Sequence, residues 1–90
     1  MYKLVYTSKF KKDIKLCYKR EYNFSELKIV IETLESYGKL PQKYNHHVLS
    51  GNFSKHWECH IKPDWLLIWL QDEKEKEITF VRTGTHSDLF

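Results

Sequence analysis

The sequence predicts an α+β fold: an N-terminal strand, two helices, then an antiparallel sheet of three to four strands with the helices on one face. Three observations carry this. Apolar residues recur at helical spacing from Ser8 to about Leu34, they alternate with period two from residue 54 onward, and the later strands are joined by connectors too short for anything but antiparallel return. Ninety residues with 41% hydrophobic and 16% aromatic content make one compact domain spanning 1–90, close to the lower size limit for a self-sufficient core.

Residues 2–6 (YKLVY) read as the first strand, and Thr7-Ser8 as the cap of a helix running to about Arg20. Phe10, Ile14, Cys17 and Tyr18 fall on one stripe of that helix, while Lys11, Lys15 and Lys19 line another face at steps of four. A second helix follows Asn23, a cap candidate with Glu26 three residues on, and carries Leu27, Val30, Ile31 and Leu34 as its apolar stripe. Gly38 and Pro41 stop it. In SKHWECHIK (54–62), alternation puts Trp57, Cys59 and Ile61 on one face and Glu58, His60 and Lys62 on the other. WLLIWL (65–70) is apolar on both faces and reads as a central strand. QDEKEKE is a connector, and EITFVRT (77–83) alternates again, with Ile78, Phe80 and Arg82 on one side. The tail, GTHSDLF, is polar until its last two residues.

Charge is unevenly spread. Residues 1–20 carry seven Lys or Arg against Asp13, a net of +6, whereas residues 72–90 sum to −2. A basic face on one element fits either a polyanion or acidic partner or a plain solvated surface. No segment approaches the roughly 18 apolar residues of a membrane span, and no secretory signal is evident. Two distant cysteines give no disulfide framework, so a reducing cytoplasm is expected.

The turn at Lys62-Pro63-Asp64 folds strand 54–62 back against 65–70, and the QDEKEKE connector brings 77–83 back alongside. His60, Asp64, Trp65, Arg82 and His86 are therefore expected to converge on one edge of the sheet. Histidine is the natural proton carrier at cellular pH, and an arginine beside it suits a phosphate gaining charge. Trp65 fits core and site equally well, and the terminal Phe90 is either a core plug or a stacking platform for a base. The His46-His47 and Cys59-His60 pairs raise a metal reading. Adjacent strand residues point to opposite faces, a poor chelate, so no metal or other cofactor is expected. Parity also places Cys59 in the core, away from any role as a nucleophile.

HVLSG (47–51), ECHIKPDWLLIW (58–69) and VRTGTHSDLF (81–90) resemble the YafQ branch of the RelE/ParE toxin superfamily. The pattern Arg82, Gly84, His86, Leu89, Phe90 and the pattern His60, Pro63, Asp64 carry the likeness most specifically, and the order of elements extends it over the whole chain. The resemblance implies a RelE-like toxin of a type II toxin–antitoxin pair, a metal-independent endoribonuclease that cuts messenger RNA in the ribosomal A site through its 2′-hydroxyl. It implies His47, His60, Asp64 and His86 as the catalytic set, with His86 as proton donor and the base left open between Asp64 and another histidine. Trp65 and Phe90 would hold substrate, Arg82 would stabilise the phosphorane, and Lys11, Lys15 and Lys19 would meet ribosomal RNA or an antitoxin. The implied partners are the ribosome, messenger RNA and a DinJ/RelB-like ribbon-helix-helix antitoxin, with operator DNA reached through the antitoxin. The likeness departs at Trp57, where many relatives have arginine. Two other classes compete: a non-catalytic RNA- or antitoxin-binding module, which does not require four acid–base residues, and a ParE-like gyrase inhibitor, which usually lacks the histidines.

Overall fold

The computed structural model describes residues 1–90. The element order is β1 (Lys3–Tyr6), α1 (Ser8–Lys19), α2 (Ser25–Tyr37), β2 (His47–Val48), β3 (Trp57–Lys62), β4 (Trp65–Asp72), β5 (Glu77–Gly84) and α3 (His86–Leu89). One five-stranded sheet has the order β1-β5-β4-β3-β2. β3, β4 and β5 pair antiparallel, as expected, and the short β2 adds a further antiparallel pairing on β3 that the sequence does not announce. The N-terminal strand joins them as a parallel edge on β5, a pairing that its sequence does not specify.

Thr7 caps α1 as predicted, its hydroxyl oxygen accepting from the Phe10 amide at 3.0 Å. The same hydroxyl donates to the Val81 carbonyl at 2.9 Å, so one side chain both starts the helix and fastens it to β5. Of the predicted stripe, Phe10 and Cys17 are buried and Ile14 packs against the core, but Tyr18 is 75% exposed because it lies beyond the edge of the contact face. The predicted capping box of α2 does not form. Phe24 holds the cap position, Asn23 lies one residue too early and accepts from the Ser25 amide, and the Glu26 carboxylate accepts from the Tyr44 hydroxyl at 2.7 Å. Gly38 ends the helix in the left-handed conformation, φ +68°, which a glycine adopts without strain.

The apolar stripes of α1 and α2 cover one sheet face, meeting Cys59, Ile61, Trp65, Leu67, Trp69, Ile78 and Phe80. β4 is buried from Trp65 to Trp69, the central strand its composition predicts. Each of Leu66, Leu67 and Ile68 is fully buried, worth about 1.5–3 kcal/mol of transfer free energy. The opposite face is covered only at one end, where Leu89 of α3, with Leu49, Phe53 and Val81, closes over Leu66 and Ile68. α3 itself is the element that the polar composition of the tail concealed.

Two register shifts shape the site end of the sheet. In β3 the pairing passes from His60↔Leu66 to Lys62↔Trp65, leaving Ile61 as the extra residue before the turn. In β5 it passes from Trp69↔Phe80 to Ile68↔Arg82, so Val81 is the extra residue. A bulge re-aims the side chains beyond it. Arg82 is thereby removed from the line of Ile78 and Phe80 where alternation placed it, and Thr83 turns inward.

Buried Thr83 then satisfies two core groups at once: its oxygen accepts from Trp65 Nε1 at 2.9 Å and its proton goes to the Leu66 carbonyl at 2.7 Å. Thr83→Val keeps the shape and strands the indole N–H, so urea denaturation should show a loss of about 1–3 kcal/mol. An unchanged midpoint and slope would mean that this pair contributes nothing to the fold.

Candidate functional site

The site grows from the β3–β4 turn. Asp64 sits at its exposed apex, and a single carboxylate oxygen, Oδ1, accepts from both the His86 backbone amide (3.0 Å) and His86 Nδ1 (2.6 Å). A carboxylate only accepts, so Nδ1 carries the proton and Nε2 is left facing away from Asp64. These bonds, the backbone one first and the ring one second, hold the Asp64 carboxyl below its usual range. The His60 ring stands edge-on to His86 with centroids 5.9 Å apart.

Beneath His60 lies Glu58, which alternation places only on the same face of β3 as His60 and Lys62. It is 5% exposed. Its Oε1 lies 3.3 Å from His47 Nε2 and 4.0 Å from His60 Nε2. His47 reaches it because β2 pairs His47 directly opposite Glu58, and Nδ1 of His47 donates to the Asn45 carbonyl at 3.0 Å, turning Nε2 toward the carboxylate. The His46-His47 pair thus splits, His46 packing on Trp57 on the other side. Trp57 stacks on Trp69 and packs against the helix-side core, as its parity predicts. His47, Glu58, His60, His86 and Asp64 form one continuous run of acid–base groups across the open sheet face. The signal that could have found Glu58 is its i, i+2 spacing from His60 on the face that the site uses.

Two predicted site residues stand elsewhere. Trp65 is 4% exposed and packs between Tyr22 and Phe24, at centroid distances of 4.8 and 5.8 Å. It is a core residue that also bounds, with Tyr22, Asn23, Lys62 and Asp64, a cavity of about 250 Å³. Arg82 is held by Asp13 of α1 at 2.7 and 3.2 Å, so its charge is already compensated. Phe90, by contrast, is 66% exposed, its ring resting edge-on against Phe53 at 5.7 Å. Lys43 and Lys62 flank His60 in a cleft of about 490 Å³ that also includes Asn45 and Pro63. Lys11, Lys15 and Lys19 are exposed, and none takes part in an ion pair.

No group of three or more His, Cys, Asp or Glu side chains is arranged to hold a metal ion. Both thiols are buried, Cys17 pushed up to about 11 and Cys59 raised further, in each case chiefly by burial. Neither is placed to act as a nucleophile. No helix is long and apolar enough to cross a membrane.

The architecture is the RelE-like α+β fold of known toxins. A crystal structure of the Escherichia coli DinJ–YafQ complex matches with a TM-score of 0.90 at 34% identity, covering 100% of this chain and 99% of that one. A crystal structure of a metal-bound toxin from Helicobacter pylori matches with a TM-score of 0.90 at 36% identity over 100% of both chains. The mRNA interferase toxin YafQ of E. coli strain K12 is 36% identical over 86 residues, which is 94% of this chain and 91% of that protein. The family model described as bacterial toxin of type II toxin–antitoxin system, YafQ, spans residues 2–90. This chain belongs to the YafQ family of type II toxins.

The Asp64 and Asp88 carboxyls both ionise more readily in the folded chain than in an unfolded one, Asp88 through Arg20 and the Thr85 amide. Their contribution to docking α3 is therefore complete above the ordinary carboxylate range and is lost as pH falls toward the depressed folded values. Below about pH 4, amide exchange at Leu89 and Phe90 should accelerate relative to β4. A ratio of protection between the two regions that stays unchanged from pH 6 down to about pH 2 would show that these carboxylates do not hold the tail.

Proposed function

We propose that this chain is an mRNA interferase, a ribosome-dependent endoribonuclease acting in the cytoplasm as one toxin domain, and that a DinJ/RelB-like antitoxin neutralises it. The relatives' names support the class. The observation that carries the chemistry is the unbroken run Asp64–His86–His60–Glu58–His47, because RNA transesterification needs a base, an acid and little else if the reacting atoms are aligned.

In this reading His86 is the general acid. Asp64 holds the Nδ1–H, and in the imidazolium form the second proton, on Nε2, is the one delivered to the departing 5′-oxygen, leaving the neutral ring on Asp64. Asp64 is a poor base, being held below its usual range with one oxygen already accepting two N–H groups. The 2′-hydroxyl proton therefore goes to His60, because Nδ1 of His47 donates to the Asn45 carbonyl and its Nε2 faces the Glu58 carboxylate. Phe90 offers its open face to a base of the substrate. Lys43 and Lys62 supply the free positive charge beside His60 that Arg82, occupied by Asp13, does not. Lys11, Lys15 and Lys19 contact ribosomal RNA phosphates or the acidic surface of the antitoxin, through which the pair reaches operator DNA.

His86→Gln tests the reading. A neutral amide fills the same place and cannot transfer a proton, so cleavage on programmed ribosomes should fall by about 10²-fold or more with ribosome affinity little changed. Excess EDTA under magnesium-matched control conditions should leave the wild-type rate intact. Cleavage by His86→Gln near the wild-type rate would move the proton donor elsewhere, and an EDTA-sensitive rate would replace the acid–base reading with metal chemistry. Replacing all three helix lysines with Ala should reduce the salt slope of ribosome binding by roughly 0.7–0.9 for each phosphate left without its lysine. An unchanged slope would make that helix face merely solvated.

A further inference from the structure

α3 is four residues long, too short to persist alone, yet it carries His86 at its first position and Phe90 immediately after its last. Something must fix it. Leu89 anchors one side in the Leu66–Ile68 cluster, and Asp64 grips His86. The remaining anchor comes from the far end of α1. Arg20, the residue that terminates that helix, reaches 68 positions along the chain to Asp88, with Nη1 donating to Oδ2 at 2.6 Å and Nη2 to Oδ1 at 3.0 Å.

Asp88 is also the N3 residue of α3, whose N-cap is Thr85. Its Oδ2 accepts from the Thr85 amide at 2.9 Å while the Thr85 hydroxyl accepts from the Asp88 amide at 3.1 Å, a reciprocal capping box. The carboxylate lies directly over Gly84, where a Cβ would come within 2.8 Å of Oδ2. Both oxygens and the plane of this carboxylate are thus set by the forked guanidinium. The Arg20 main chain is fixed at the end of α1, its amide bonded to the Leu16 carbonyl. An exposed ion pair adds little to global stability, but here it acts on a marginal helix whose displacement moves both His86 and Phe90.

We infer that Arg20 is a positioning residue: by clamping Asp88 it sets the placement of the C-terminal helix, and through it the alignment of His86 on Asp64. The inference rests on the reading of His86 as proton donor. It couples the basic helix, which faces the partner in that reading, to the site itself.

The test compares Arg20→Ala, Arg20→Lys and Asp88→Asn in the full chain. It measures single-turnover cleavage on saturating programmed ribosomes, ribosome affinity, and the nitrogen-15 NMR signature of the His86 ring. Arg20→Ala should cut the saturated rate by about 10-fold, a misalignment effect, and should erase the signature of Nδ1 donating to Asp64. Arg20→Lys, with one donor direction in place of two, should fall between Ala and wild type in both. Asp88→Asn combined with Arg20→Ala should be no worse than the more damaging single variant, the non-additivity of a shared interaction. An unchanged His86 signature in Arg20→Ala overturns the proposal whatever the rate, and so does a wild-type rate at saturation. A defect confined to ribosome affinity also overturns it, and makes Arg20 an RNA contact instead. If the wild-type chain does not cleave, the functional reading fails, and the NMR comparison still decides whether Arg20 holds the tail.

Discussion

One carboxylate oxygen organises the functional end of this molecule. Asp64 Oδ1 receives the backbone amide and the ring Nδ1 of His86, so a turn between two central strands captures a C-terminal segment that has almost no structure of its own. The contact needs the β3–β4 turn and the end of β5 at one level, and the bulges at Ile61 and Val81 adjust both. It leaves Nε2 of His86 as the free nitrogen and sets His60 beside it. The buried contacts of Thr83 and Leu89 matter to the site because they hold the two ends of this bond in register.

The fold is legible where local chemistry decides it. Thr7 capping α1, Gly38 ending α2 and the doubly apolar run 65–70 each have a physical meaning that survives any tertiary context. The parallel pairing of β1 with β5 is not legible, because four residues of a strand say nothing about which edge they will join. Nor is the Val81 bulge, since a strand with one extra residue alternates in sequence like any other; this is why simple alternation puts Arg82 on the wrong side. The T-x-x-D capping box at Thr85 and Asp88 is written in the sequence but hidden by the polarity of the tail.

The site is legible in part for a related reason. Turn lengths alone bring His60, Asp64 and His86 together, and the structure joins them through hydrogen-bond and ring contacts. His47 enters only through resemblance, and it arrives on a two-residue strand too short to read from sequence. Glu58 escapes notice because charge on a strand normally means exposure; here β2, Ile68 and the histidines enclose it. Trp65 stands open between core and site in the sequence, and its indole N–H finding Thr83 resolves it as core.

The proposed chemistry is proton transfer between side chains and the substrate's own 2′-hydroxyl, and the ends of the cut RNA record it directly. Messenger RNA cleaved on ribosomes by the purified wild-type chain should carry a 2′,3′-cyclic phosphate on the upstream fragment and a 5′-hydroxyl on the downstream one. The downstream fragment should then accept a radiolabelled phosphate from polynucleotide kinase without prior dephosphorylation. A 5′-phosphate and a free 3′-hydroxyl would mean that water, not the 2′-oxygen, attacks, and would contradict the account.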